Sequence, residues 1–145
     1  LLAGLAFSNS MVGIVHATAH ATGGVCHVPH GIANSILLPY GLEFYVGKSP
    51  KVKEDIESLL LYLAGPEVYV QTPPAERAAK TIAAIRNLTA ELKKLSGLPV
   101  RLSETGVTED KLERIAQTAL NDGAVAFSPV EVSLMEALGV LKAAY

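Results

Sequence analysis

Charge, cysteine and long hydrophobic runs are all scarce in this chain, and each scarcity removes a class of protein. Only 18% of the 145 residues are charged, against about 25% in an ordinary globular domain, while half are hydrophobic. Intrinsic disorder is excluded, because it needs low hydrophobicity and high charge. Twelve Lys and Arg face fourteen Asp and Glu, a net charge of −2, which offers no broad electrostatic grip on nucleic acid. A single cysteine, Cys26, forbids an intrachain disulfide and fits a reducing, cytoplasmic setting. No apolar run reaches the roughly 18 residues of a membrane span, so no membrane partner is expected. A secretory signal would carry an early basic residue, and the first here is Lys48. The chain also opens without Met, on the apolar run from Leu1 to Phe7. This is the pattern of a fragment whose apolar surface is covered by further chain.

What is present is helical periodicity. Residues 1–22 are rich in Ala, Leu, Val and Gly, which predicts a helix at the centre of a bundle. Gly23-Gly24 is expected to end it. A second apolar stretch runs from Gly31 to Tyr45, kinked or split by Pro39. Ser49-Pro50 predicts a capped helix start, and Gly65-Pro66 its stop near Ala64. From Thr72-Pro73, apolar residues at three-to-four spacing run through Ile82, Leu88 and Leu95 to a break at Gly97-Leu98-Pro99. Thr108 opens a further helix closed by Gly123, and Ser133 to Glu136 form a capping box before Leu138 and Leu141. Only residues 67–70 are a short strand candidate. The expected fold is one all-α, multi-helix bundle over residues 1–145.

All four histidines lie between positions 16 and 30. His16 and His20, four residues apart, project from one helix face. His30 follows the Gly23-Gly24 turn and Pro29, close enough in sequence to fold back toward His16. Converging imidazoles suit Zn²⁺ or Fe²⁺. The spacing is not that of a H-E-x-x-H protease, since Ala17 and Thr18 offer no base. No second cysteine exists to build a Cys-rich zinc site with Cys26. His27 is read as a surface or backbone-bonded imidazole, and Cys26 as a passive small side chain.

The segments Gly4-Leu5-Ala6-Phe7-Ser8-Asn9, His16-Ala17-Thr18-Ala19-His20, Gly23-Gly24, Pro29-His30-Gly31 and Ala33-Asn34-Ser35-Ile36-Leu37-Leu38-Pro39 together resemble the signature of the iron-containing (group III) alcohol dehydrogenases. Gly106-Val107-Thr108-Glu109 and Ala119-Leu120-Asn121-Asp122-Gly123 extend the likeness over most of the chain. The resemblance implies a metal-binding helical domain that lacks an N-terminal nucleotide-binding domain and the first part of the helical one. It implies His16 and His30 as two of four metal ligands, the remaining Asp and His lying upstream. It implies His20 as a catalytic residue beside the nicotinamide and substrate, and Phe7 as an apolar residue near the substrate pocket. The implied cofactors are Fe²⁺ or Zn²⁺, with NAD or NADP held mainly by the other domain. The implied reaction is hydride transfer between a small alcohol or aldehyde and nicotinamide, in a homo-oligomeric parent.

The sequence departs from that family at Ala21-Thr22, where many members have Pro-Leu. It departs again at Ser128-Pro129-Val130, where Asn-Pro-Arg is common. Two alternatives stay open: a zinc enzyme like the glycerol dehydrogenases of the same superfamily, or a free-standing helical metal-binding module. On its own the fragment is expected to fold but to be inactive, because it contains no glycine-rich nucleotide-binding turn.

Overall fold

The computed structural model describes residues 1–145 as eight α-helices with no strand. They are α1 (Leu2–Ser10), α2 (Ile14–Cys26), α3 (His30–Lys48), α4 (Pro50–Ala64), α5 (Pro66–Gln71), α6 (Pro74–Ser96), α7 (Leu112–Leu120) and α8 (Leu134–Ala144). Short 3₁₀ turns lie at Leu102–Thr105, Glu109–Lys111 and Gly123–Phe127. The all-α expectation holds, and so do most of the predicted boundaries. Ser49 Oγ accepts the Val52 N–H to start α4, and Gly65 at φ 88° ends it. Gly97 closes α6 in the left-handed region at φ 73°. Ser133 and Glu136 form the capping box of α8.

Helix α2 is the spine. Ala17, Ala19 and Ala21 are buried, and their small side chains let α3 and α7 approach closely. Thr18 and Thr22 are fully buried too, and each donates its hydroxyl to a carbonyl one turn back, at 2.7 Å. No polar atom of theirs is left unpaired. Ile36 and Leu37 of α3, Leu112 and Ile115 of α7, and Leu141 of α8 complete the core around it. Each such Leu or Ile contributes about 1.5–3 kcal/mol relative to an exposed position. Helices α4 and α6 pack on each other and against α3, away from α2.

Several expectations are corrected. The helix expected from Thr108 to Gly123 is only α7, Leu112–Leu120: a 3₁₀ turn at Glu109–Lys111 precedes it, and Gly123 opens another 3₁₀ turn instead of closing the helix. Residues 1–22 do not form one central helix: α1 and α2 meet at a 96° bend, and α1 buries none of its residues. Ser8, Asn9 and Ser10 turn their side chains back onto the carbonyls of Gly4, Leu5 and Ala6, and Met11 takes a left-handed φ of 57°. Gly23-Gly24 does not end α2, which runs on to Cys26 and is closed by His27 at φ 59°. Gly23 instead gives room: a Cβ there would crowd the Val28 carbonyl at 3.2 Å. Pro39 does not split the second stretch, which is one helix, α3, from His30 to Lys48. Residues 67–70 are helical, because Gly65-Pro66 starts a new helix as well as stopping the old one. In α6, Ala78 and Ile82 are buried but Leu88, Leu92 and Leu95 are exposed. No single helix is long and apolar enough to cross a membrane.

Candidate metal centre

Two helices meet at the histidines. His16 and His20 stand one turn apart on α2, on the side away from buried Thr18 and Thr22. Val28 is buried beneath the α2–α3 connection, and Pro29 precedes His30, the first residue of α3. The chain is thereby reversed, and His30 returns over α2. Ring centroids lie 5.5 Å apart for His16 and His30, 5.9 Å for His16 and His20, and 5.1 Å for His20 and His30. The three imidazoles share a cleft of about 450 Å³, whose apolar walls include Phe7, Met11 and Phe127. Phe7 reaches it from α1, with half of its surface exposed. His27 stands outside, exposed at the end of α2.

Burial lowers the His16 pKa below its ordinary 6.5, and the neighbouring His30 and His20 push the same way, while Asp122 opposes them. His16 is therefore neutral at physiological pH, the form that binds a cation. Asn34, one turn beyond His30, donates Nδ2 to the His30 carbonyl at 3.0 Å, and the same Nδ2 lies 3.0 Å from the ring Nε2. Asn34 Oδ1 is a buried acceptor with no donor. Burial also raises the Cys26 thiol above its usual range, which disfavours the reactive thiolate.

Asp122 was not among the predicted site residues, yet the fold delivers it to the cleft. Its Oδ2 lies 2.9 Å from His20 Nδ1, within hydrogen-bond distance. Its Oδ1 accepts the Ala124 N–H at 2.8 Å, capping the 3₁₀ turn that packs against α2. The sequence offered two hints, its place in the family-like segment Ala119 to Gly123 and an Asp-Gly pair after an apolar stripe, and neither pointed to His20. Ser128, one of the departures noted above, has a structural partner: its Oγ lies 3.0 Å from the Tyr45 hydroxyl.

The donor chemistry of this cluster fits a borderline divalent cation, since neutral imidazole suits both iron and zinc. The set is partial. No three His, Cys, Asp or Glu side chains of the chain close around a single ion position.

Comparison with known proteins agrees with this arrangement of helices. Residues 1–145 match the family described as Fe-containing alcohol dehydrogenase, C-terminal. The chain is 34% identical over its full length to 1,3-propanediol dehydrogenase of Klebsiella pneumoniae, covering 35% of that protein. It is 32% identical to alcohol dehydrogenase 4 of Saccharomyces cerevisiae (strain YJM789), over 99% of this chain and 34% of the relative. A crystal structure of 1,3-propanediol oxidoreductase superposes on the whole chain with a TM-score of 0.84 and 34% identity, over 36% of that structure. The chain thus spans about a third of the length of these relatives. From its first residue to its last, it belongs to the Fe-containing alcohol dehydrogenase family, in the C-terminal region of which all of it falls.

Proposed function

We propose that this chain is the metal-binding part of an NAD(P)-dependent alcohol dehydrogenase, acting on small alcohols or aldehydes in the cytoplasm. His16 and His30 hold a divalent cation there, Fe²⁺ or Zn²⁺, with further ligands and the nucleotide-binding domain supplied by chain beyond these residues. The observation that carries this reading is the convergence of His16, His20 and His30 in one cleft with an apolar wall. The family match and the one-third coverage of full-length dehydrogenases add to it.

When bound, the cation supplies Lewis acidity to a substrate oxygen, and the nicotinamide supplies the two-electron acceptor or donor. The chain's own residues do the rest. His16, kept neutral by burial, offers a lone pair without a competing proton. His30, at the first position of α3, is steadied by Asn34 one turn on. His20 lies beside both and can take or return a proton at the substrate end. Phe7, Met11 and Phe127 give the cleft an apolar side that suits the carbon chain of a small alcohol.

The test uses a protein of the relatives' full length, purified without oxygen. Wild type is expected to carry one equivalent of Fe²⁺ or Zn²⁺ per chain and to oxidise a short-chain alcohol with NAD or NADP. His30→Ala is expected to lose metal and activity together. A metal-free His30→Ala protein with full activity contradicts the assignment.

A further inference from the structure

We propose that Asp122 is a positioning residue that fixes the tautomer of His20, holding the ring proton on Nδ1 and leaving Nε2 bare. Both oxygens of the Asp122 carboxylate are committed, each to a different donor. Oδ1 takes the Ala124 N–H at 2.8 Å and Oδ2 faces His20 Nδ1 at 2.9 Å. An ionised carboxylate only accepts hydrogen bonds, so the hydrogen between Oδ2 and Nδ1 must belong to the ring. The carboxylate is not free to swing away. It caps the Gly123–Phe127 turn, and that turn packs directly on α2.

The pairing joins residues 102 positions apart and reverses the usual preference of a free histidine side chain, which carries its proton on Nε2. The second ring nitrogen is left as an acceptor on a ring that lines the cleft with His16 and His30. A carboxylate behind a histidine sets which nitrogen is available for chemistry. If the dehydrogenase reading above holds, this gives His20 a vacant nitrogen for a substrate-derived proton. The tautomer itself does not depend on that reading.

Substitution by asparagine makes the sharpest test. In Asp122→Asn the Ala124 N–H still demands an oxygen, so the amide oxygen stays at the Oδ1 position. The NH₂ group then falls against His20 Nδ1 and donates to it. The variant keeps the shape and the cap but should invert the tautomer.

The measurement is long-range ¹H–¹⁵N correlation of the histidine rings in the 145-residue chain, at mildly alkaline pH without added metal. In wild type, His20 should show a protonated-type Nδ1 and an unprotonated-type Nε2. In Asp122→Asn the two shifts should exchange, with His16 and His30 unchanged. An Nε2–H form of His20 in wild type overturns the proposal, whatever the variant does. So does an Asp122→Asn protein that folds and keeps the wild-type pattern. Should that variant fail to fold, Asp122→Ser keeps an acceptor for Ala124 without reaching His20, and loss of the Nδ1–H preference is expected there. Its retention is a refutation. Because no metal is present, failure here is separate from failure of the metal assignment.

Discussion

The hydroxyl of Tyr45, on α3, accepts the backbone N–H of Ile14, in the first turn of α2, at 3.0 Å. The N–H groups of a first helical turn have no partner within their own helix. Ile14 is fully buried, so water cannot serve. The same hydroxyl is 3.0 Å from Ser128 Oγ, and it stands where Gly13 would otherwise place a Cβ. One phenol thus ties the start of α2, two residues before His16, to the middle of the bundle.

Tyr45→Phe is therefore expected to destabilise the chain by about 1–3 kcal/mol, the penalty for leaving a buried donor unmade. Urea denaturation followed by circular dichroism measures it. The midpoint should fall with little change in slope. An unchanged midpoint would show that Ile14 finds another acceptor.

A second close approach lies between the same helices. A Cβ on Gly41 of α3 would run into Cγ2 of Val15. Alanine is favoured over glycine within a helix by about 1 kcal/mol, so Gly41→Ala ought to stabilise if only propensity mattered. Overpacking costs about 1–3 kcal/mol and should win, because both positions are buried. We expect a lower melting temperature for Gly41→Ala. Gly41→Ala combined with Val15→Ala should be better than the sum of the two single changes. Strict additivity would rule out the steric account.

These contacts mark what the sequence could and could not convey. Helix ends announced by local chemistry, such as Ser49-Pro50, Gly97 and the Ser133–Glu136 box, are readable because their partners lie within four residues. His16, His20 and His30 were readable for a similar reason: a helix turn and a short connection fix their proximity. Asp122 was not, because no periodicity links positions 20 and 122; only the packing of the 3₁₀ turn on α2 joins them. The α1–α2 break was missed because composition reports apolarity and not direction. Met11, without glycine's freedom, takes the positive φ that makes the corner. Gly23-Gly24 misled because glycine permits a turn without requiring one, and here Gly23 makes room for the Val28 carbonyl.

The histidine cluster should bind Zn²⁺ weakly in the 145-residue chain. A zinc site usually takes four ligands, and His16 and His30 leave the rest to water. Binding should fall far short of the roughly 10–16 kcal/mol of a structural zinc site. Calorimetric titration should show heat that disappears in His16→Ala. Tight binding that survives His16→Ala would put the site elsewhere and favour a metal-binding module. Since the His16 pKa lies below 6.5, proton competition at that ligand sets in at lower pH than for an ordinary histidine. Without metal, the same shift works against the fold. The unfolded chain takes up the His16 proton near 6.5 and the folded chain only below it, so stability declines as pH drops through that window.

Glu136 gives a pH dependence of its own, remote from the cleft. Its carboxylate accepts from Lys48 Nζ at 2.6 Å, from the Ser133 N–H at 2.8 Å and from Ser133 Oγ at 2.7 Å. These donors, Lys48 foremost, hold its pKa down from 4.5 to about 2. The folded chain thus resists protonation that the unfolded chain accepts. The resulting stabilisation is complete above pH 4.5 and is lost as pH falls toward about 2. Glu136→Gln keeps a side chain able to serve in a capping box but removes the charge that Lys48 neutralises. The variant should be less stable than wild type at neutral pH, and the gap should narrow steadily between pH 4.5 and about 2. Urea midpoints of both proteins, taken at steps down that range, give the difference directly. Other carboxylates titrate in the same window, but they do so in both proteins and cancel. A gap that stays constant from neutral pH to about 2 would mean that the loss comes from helix capping alone, with no part played by the charge on Glu136.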